Sequence, residues 1–147
     1  MNNNLLKVAL AQITPVWLNK EKTLEKIEKS ILGAAKESCE LIVFGEALLP
    51  GYPFWVALTN GAEWDSKTQK EIYAHYVRNS ITIEKGELDS VCKLAKEHNM
   101  SIYLGIMERA QNRGGHSVYC SLVYINQDGE IKSVHRKLQP TYDERLT

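Results

Sequence analysis

The apolar stretch Leu41–Phe44 (LIVF), followed directly by Gly45-Glu46, decides the fold of this chain. Four consecutive apolar residues of this kind are typical of a buried strand. An earlier run, residues 7–13 (KVALAQI), ends at Thr14-Pro15, since proline cannot donate a hydrogen bond to a strand ladder. Both runs are therefore predicted to be buried strands, and Glu46 lies at the carboxyl end of the second.

The segment between these two strands has the pattern of a helix. Asn19 stands where an N-cap is expected, and lysine and glutamate occupy most of the positions between the apolar ones. The apolar positions recur at helical spacing: Leu24, Ile27, Ile31, Leu32 and Ala35. A strand, a helix and a strand in this order predict a βαβ unit with a right-handed crossover.

The remainder of the chain continues to alternate helices and strands. Residues 49–64 are interpreted as a loop, helices are predicted from Ser66 onward and over residues 87–98, and strands over 101–107, 118–125 and 131–134. Asp128-Gly129 is typical of a hairpin turn before the last strand. Because no linker, repeat or boundary interrupts the pattern, residues 1–147 are predicted to form one α/β domain.

The composition argues against several kinds of partner and site. Lysine plus arginine and aspartate plus glutamate number 18 each, so no net charge draws the chain to nucleic acid or an anionic membrane. Residues 1–4 (MNNN) lack the basic start of a secretory signal, and no apolar run approaches the ~20 residues that span a bilayer. The three cysteines Cys39, Cys92 and Cys120 fit neither a disulfide framework nor a zinc site. We therefore expect a cytoplasmic protein with no metal and, since no glycine-rich phosphate-binding motif occurs, no cofactor.

The first motif with chemical meaning is Glu46 together with the loop Pro50-Gly51-Tyr52-Pro53. A carboxylate at the carboxyl end of a buried strand lies where α/β folds collect their ligands. Such a group is suited to general base catalysis. The alternative is that Glu46 simply ends the strand in solvent.

The second motif is the charged segment of residues 135–145 (HRKLQPTYDER), which follows a predicted strand. Lys137 could hold a developing oxyanion as a fixed positive charge. A solvated basic turn is the alternative interpretation, and this segment alone does not decide between the two.

Taken together, the two motifs resemble those of the nitrilase superfamily of carbon–nitrogen hydrolases, most closely its nitrile-hydrolysing branch. A strand that ends in Glu46 and continues into Pro-Gly-Tyr-Pro is followed by H-R-K-L-x-P-T-x-x-E-R at residues 135–145. Residues 105–109 (GIMER) and Asp128-Gly129 agree with the order of features in the family. The resemblance implies part of an αββα sandwich, with a mixed sheet flanked by helices, and a Glu–Lys–Cys site acting on a small nitrile or amide.

The resemblance also implies a role for each matching residue. Glu46 would be the general base that activates the cysteine, Lys137 would stabilise the tetrahedral intermediate, and Glu144 would help to position the substrate and the attacking water. Tyr52 and Trp55, in the loop after Glu46, could line the mouth of the substrate site. Because Glu46 and Lys137 both follow apolar strands, we expect their side chains to lie close together at one end of the sheet.

The chain departs from the family pattern at the nucleophile. The family's cysteine lies beyond the lysine segment, whereas all three cysteines here precede Lys137 and are interpreted as small buried hydrophobic residues. The chain is therefore expected to be the N-terminal half of a nitrilase-type domain, truncated before the nucleophile and inactive alone.

Three hypotheses remain open at this point. The first is a truncated enzyme, and the second is an assembly module that completes its sandwich with itself or with a separate C-terminal half. The third is a small α/β binding protein with an unrelated function. Because half of a sandwich would leave an apolar sheet face in water, we expect the folded chain to be a homo-oligomer, most simply a two-fold dimer.

Overall fold

One five-stranded mixed sheet organises the chain in this computed structural model, which describes residues 5–61, 63–111 and 116–145. The strands lie side by side in chain order: β1 (Val8–Ala11), β2 (Leu41–Phe44), β3 (Ser101–Glu108), β4 (Tyr119–Ile125) and β5 (Ile131–Arg136). The first three are parallel, and β3, β4 and β5 are joined antiparallel. The α/β fold with a mixed sheet is therefore confirmed. Residues 1–4, on which the argument against a secretory signal depends, lie outside the described ranges.

The predicted helices are present, and the structure adds two one-turn helices, Trp55–Leu58 and Tyr142–Arg145, that the sequence did not predict. In chain order the helices are α1 (Lys20–Lys36), α2 (Trp55–Leu58), α3 (Lys67–Asn79), α4 (Asp89–Glu97) and α5 (Tyr142–Arg145). The predicted loop over residues 49–64 contains the one-turn helix α2, and a 3₁₀ turn, Ile83–Lys85, precedes α4, which begins two residues later than expected. Across the described ranges, no helix combines the length and the apolar character needed to cross a membrane.

Helix α1 begins where its sequence predicts. Asn19 has an extended backbone, and its side-chain oxygen accepts a hydrogen bond from the backbone N–H of Lys22 at 3.0 Å. This bond satisfies one of the N–H groups that the first turn of a helix leaves unpaired. Ile27 and Ile31, one turn apart on the inner face, are fully buried.

The alternation of side chains along the strands gives the sheet a helix-covered face and an open face. On the covered face, residues of α1 and α4 pack on inward-pointing strand residues to form the main core; the strand residues are Ile42, Phe44, Ile102, Leu104, Ile106, Val123 and Ile125. Full burial of a large aliphatic side chain contributes roughly 1.5–3 kcal/mol relative to exposure. Burial of this cluster therefore holds the sheet against α1 and α4.

The opposite face, which we call the open face, carries the alternate residues of the same strands. In register across the sheet, Leu10 pairs with Val43, Val43 with Tyr103, and Tyr103 with Tyr124. Leu10 is 79% exposed, and Leu122, two residues from Tyr124 on β4, is 39% exposed. A row of apolar side chains on the sheet is thus left in contact with solvent.

A glycine in the middle of β3 lets the end of β2 come close. A Cβ atom added at Gly105 would lie 2.2 Å from the carbonyl oxygen of Gly45 and 2.8 Å from Cα of Glu46. Both neighbours are backbone atoms, which cannot rotate away as a side chain would. Gly105 is therefore the residue that permits the backbone of Glu46 to rest on β3.

We expect Gly105→Ala to destabilise the chain by about 1–3 kcal/mol or more, because the added methyl group forces backbone to move in a packed region. Gly33→Ala on α1 is the matched control, since its Cβ would meet nothing within 4 Å. Alanine is the better helix former by up to about 1 kcal/mol, so the control should keep or gain stability. Chemical denaturation of both variants measures the difference, and equal free energies of unfolding would contradict this role of Gly105.

Candidate active site

Three charged side chains, one of them far from the other two in sequence, meet at one end of the sheet. Glu46 follows β2, Lys137 follows β5, and Glu144 lies on α5. The Nζ of Lys137 donates a hydrogen bond to Oε1 of Glu46, across 91 residues of sequence, and another to Oε2 of Glu144 at 3.0 Å. The predicted proximity of Glu46 and Lys137 is confirmed.

The position of Lys137 is set by the strand that precedes it. Its backbone N–H donates to the carbonyl of Cys120 at 2.8 Å, which continues the pairing of β4 with β5. One residue earlier, the Arg136 guanidinium donates two hydrogen bonds to the buried carboxylate of Glu108, at 2.7 and 2.9 Å. Burial alone would raise the pKa of Glu108, but the hydrogen bonds from Arg136 and Ser121 hold it below its ordinary value. This ionised pair anchors the end of β5 beside Lys137.

Glu144 is held by the turn that begins α5. The backbone N–H and the hydroxyl of Thr141 each donate to Oε2 of Glu144 at 2.6 Å. The backbone bond is the glutamate half of a capping box, in which a Thr-x-x-Glu sequence closes the first turn of a helix. Burial would raise the pKa of Glu144, but these bonds and the one from Lys137 hold it at about 2. The buried carboxylate is therefore ionised at neutral pH.

Replacement of Glu144 with glutamine should lower stability at pH 6 by about 1–3 kcal/mol, since charged hydrogen bonds are lost from a buried site. The native pKa of Glu144 lies below the ordinary 4.5, so its contribution is present above pH 4.5 and is lost as the pH falls toward 2. The difference between wild type and Glu144→Gln should therefore vanish by about pH 2. Urea denaturation across this pH range measures the difference between their free energies of unfolding.

The control for that experiment is Glu97→Gln, which removes an exposed carboxylate paired with Lys93 on α4. Exposed pairs of this kind contribute roughly 0–1 kcal/mol. The free energy of unfolding of the control should therefore stay close to that of wild type at every pH. A pH-independent difference for Glu144→Gln would contradict an ionised, strongly bonded Glu144.

Tyr52 is connected to the same network. Its hydroxyl lies 2.8 Å from Oγ1 of Thr141. Because the single hydroxyl hydrogen of Thr141 goes to Glu144, Tyr52 must be the donor to Thr141. The indole N–H of Trp17 donates to the backbone carbonyl of Tyr52 at 2.8 Å and fixes the loop. A directed chain of hydrogen bonds thus runs from Tyr52 through Thr141 to Glu144.

Trp55 is placed differently from Tyr52. It begins α2, is 3% exposed, and its ring meets the ring of Tyr76 edge to face at 6.2 Å between centroids. The aromatic pair packs the loop after β2 against α3. The structure therefore brings together four of the five predicted site residues and leaves Trp55 in the packing behind them.

A cavity of about 450 Å³ lies beside the three charged groups. It is lined by Glu46, Gly105, Cys120, Ser121, Leu122, His135, Lys137, Leu138 and Gln139. Hydrogen bonds first to Glu46 and then to Glu144 raise the pKa of the Lys137 ammonium above its ordinary value. The cavity thus combines mainly apolar walls with the permanent positive charge of Lys137 and the carboxylate of Glu46.

Cys120 is the residue of this cluster that the sequence interpretation missed. Its Sγ donates to Oε1 of Glu46 at 3.6 Å. Burial, a hydrogen bond to Glu144 and the charges of both glutamates raise the pKa of the Cys120 thiol to about 12. The interpretation of Cys120 as a small hydrophobic residue was therefore incomplete, although the thiol is protonated at neutral pH.

Carboxylate and sulfur atoms that could bind a metal are present but already share a cation. One ligand atom each from Glu46, Cys120 and Glu144 lie within 4.8 Å of one another. The ammonium of Lys137 bonds to both carboxylates. An arrangement of an ammonium between two carboxylates beside an apolar cavity suits proton transfer and stabilisation of a developing negative charge.

Comparison with known proteins identifies the family. The sequence model of the family described as carbon-nitrogen hydrolase matches residues 7–147. This chain belongs to the carbon-nitrogen hydrolase family. It is 34% identical to an arylacetonitrilase of Hypocrea virens over 145 residues, which cover 99% of this chain and 41% of that protein.

A second curated relative agrees with this family assignment, and a solved structure shares the fold. An aliphatic nitrilase of Rhodococcus rhodochrous is 34% identical over 97% of this chain and 37% of its own length. The fold matches an amidase from Nesterenkonia sp. AN1, in a structure with acrylamide added at the active site cysteine, at 14% identity and a TM-score of 0.66. That match covers 97% of this chain and 48% of the amidase. The chain thus spans under half the length of the relatives it resembles.

Proposed function

We propose that this chain carries the Glu46, Lys137 and Glu144 portion of a nitrile-hydrolysing active site whose nucleophilic cysteine lies outside residues 1–147. The observation that carries the proposal is the single lysine bonded to two carboxylates beside a mainly apolar cavity. The nitrile class is favoured over amides because the relatives near 34% identity are nitrilases by name.

The proposed reaction begins with the thiol of the nucleophilic cysteine that lies outside residues 1–147. Glu46 removes its proton, and the thiolate attacks the nitrile carbon, so that a C–S bond forms as one C–N π bond breaks. The nitrogen takes up the proton, and the product is a thioimidate. Lys137 stabilises the negative charge that develops on the nitrogen. Covalent capture divides one slow hydrolysis into easier steps.

Two water molecules complete the reaction. The first adds to the thioimidate carbon, and ammonia leaves with the protons that the water brings, which gives a thioester. The second water attacks the thioester and releases the carboxylic acid and the free thiol. We assign Glu144 the positioning of Lys137 and of the attacking water, because Glu144 is buried, ionised and bonded to Lys137.

Cys120 does not take the role of the nucleophile in this proposal. Attack requires a thiolate, and the pKa of the Cys120 thiol is raised to about 12, so very little thiolate exists at neutral pH. Cys92 lies on α4, and burial raises the pKa of its thiol as well. We therefore expect the isolated chain to hydrolyse neither nitriles nor amides.

The remaining roles are assigned by position. The hydroxyl of Tyr52 is hydrogen-bonded to Thr141 at the edge of the site, so we assign Tyr52 to the substrate-binding side. The burial of Trp55 favours a packing role. We propose that the isolated chain forms a homo-oligomer through its open face. The alternative function, an assembly or interaction module that completes its sandwich with itself or with a separate C-terminal half, is not favoured, because the chain belongs to a hydrolase family and the relatives named above are nitrilases by name. A cytoplasmic location stays a prediction.

A hybrid enzyme tests the function. The hybrid joins this chain to the part of the Hypocrea virens arylacetonitrilase that follows its matched segment, and ammonia release from phenylacetonitrile is measured. We expect turnover by the hybrid and none by the isolated chain, because only the hybrid contains the nucleophile. A folded hybrid that binds the nitrile but releases no ammonia would contradict the proposed function.

A further inference from the structure

The thiol of Cys120 occupies the centre of the charged cluster, and its place there is set by the sheet. Cys120 pairs with Met107 across β3 and β4, so its side chain lies on the same face as the buried Met107. Its Sγ lies 3.6 Å from Oε1 of Glu46 and within 4.8 Å of a carboxylate oxygen of Glu144. Its backbone carbonyl accepts the N–H of Lys137 at 2.8 Å. One residue of β4 therefore contacts all three charged residues.

We propose that Cys120 is a positioning residue, whose thiol shares its single hydrogen between the carboxylates of Glu46 and Glu144 while its carbonyl anchors Lys137. The inference rests on the proposed role of these three residues in hydrolysis. Two carboxylates that share one lysine repel each other, and a neutral donor between them reduces that repulsion without a second cation. A thiol has one hydrogen to donate and no charge at neutral pH, which matches this requirement.

The surroundings of Cys120 favour the donor form of the thiol. The titratable groups that face it come from the loop after β2, from α3, from β5 and from the segment after β5; they are Glu46, Tyr76, His135, Lys137 and Glu144. Burial and the two carboxylates keep the proton on sulfur, and the share of this hydrogen that Glu144 accepts helps to hold the pKa of Glu144 low. The two groups therefore affect each other's proton affinity.

The test uses the isolated chain, so that its result does not depend on catalysis. Glutamate labelled with ¹³C at the carboxyl carbon is titrated by NMR in wild type, Cys120→Ala, Cys120→Ser and Cys92→Ala. In Cys120→Ala we expect the pKa of Glu144 to rise by roughly half a unit or more, as for loss of one hydrogen bond. Cys120→Ser retains a hydrogen-bond donor, so the pKa of Glu144 in this variant should lie close to its wild-type value. Cys92→Ala, on the far side of the sheet in α4, should match wild type.

A second measurement covers the case in which Cys120→Ala does not fold. Alkylation of Cys120 by iodoacetamide is followed by mass spectrometry against pH in wild type and in Glu144→Gln. Wild type should react at pH 8 at least about 10-fold more slowly than a free cysteine peptide, and Glu144→Gln should move the pH midpoint downward. A merely structural change would alter the plateau rate and leave the midpoint in place.

Either of two results overturns the inference. One is an unchanged Glu144 titration in folded Cys120→Ala. The other is a Cys120 alkylation midpoint that is the same in wild type and Glu144→Gln. If the titrations agree with the inference while the hybrid enzyme is inactive, the positioning role stands and the proposed function fails.

Discussion

Replacing Lys137 with methionine is expected to lower kcat of the hybrid enzyme roughly 10²- to 10³-fold, the usual effect of removing one donor from an oxyanion-type site. Methionine retains the length of the side chain and removes the charge. KM should change much less than kcat, because the ammonium acts on charge that develops only as the thiolate attacks. Steady-state kinetics with phenylacetonitrile measure both constants.

The matched control for Lys137→Met is Lys132→Met, on β5, the strand that ends just before Lys137. Lys132 is 52% exposed in its side chain and pairs with Glu130 on the surface. Its replacement should leave kcat within about twofold of the parent, since exposed pairs contribute little. Equal kcat values for the two variants would show that Lys137 is not part of the chemistry, even in a hybrid that turns over.

The second large effect concerns the open face. In wild type we expect a dimer at micromolar concentration, and Leu10→Glu together with Leu122→Glu should weaken its association at least about 100-fold. Burial of a leucine contributes roughly 1.5–3 kcal/mol, and burial of an unpaired carboxylate costs several more. A 100-fold change in Kd corresponds to about 2.7 kcal/mol, well within that sum.

Leu58→Glu is the control for this surface, because Leu58 is 76% exposed but lies on α2 and not on the open face. The dissociation constant of its dimer should equal that of wild type. Analytical ultracentrifugation distinguishes the outcomes. A stable, folded wild-type monomer at micromolar concentration would contradict the assembly proposal. It would mean that the chain stays folded while its apolar open face is exposed to water.

The sequence predicted the parts of the fold that depend on local patterns. Apolar runs gave β1, β2 and β4, and the Asn19 cap gave the start of α1, because both signals act within a few residues. The proximity of Glu46 and Lys137 was also predictable, since each follows a strand whose neighbours the topology fixes. These features needed no knowledge of distant contacts.

The parts that the sequence did not reveal depend on which face of the sheet a residue occupies. Cys120 was interpreted as a small core residue, yet strand alternation places it on the face that meets Glu46. For Trp55 the sequence left open both loop packing and a place at the substrate mouth, and α2 turns its ring toward Tyr76. The Thr141-x-x-Glu144 capping box was readable as a motif and would have predicted the restraint on Glu144.

The roles of Glu46 and Lys137 in covalent capture are tested most directly by a single-turnover mass measurement on the hybrid enzyme. Parent hybrid and its Glu46→Gln and Lys137→Met variants are mixed with a limiting amount of phenylacetonitrile and quenched in acid at successive times. We expect the parent hybrid to accumulate a covalent adduct on its cysteine, with the mass of the thioimidate or thioester, within one turnover. Both variants should form it at least about 100-fold more slowly. Adduct formation at the parental rate in either variant would contradict the assignment of Glu46 and Lys137 to the chemistry.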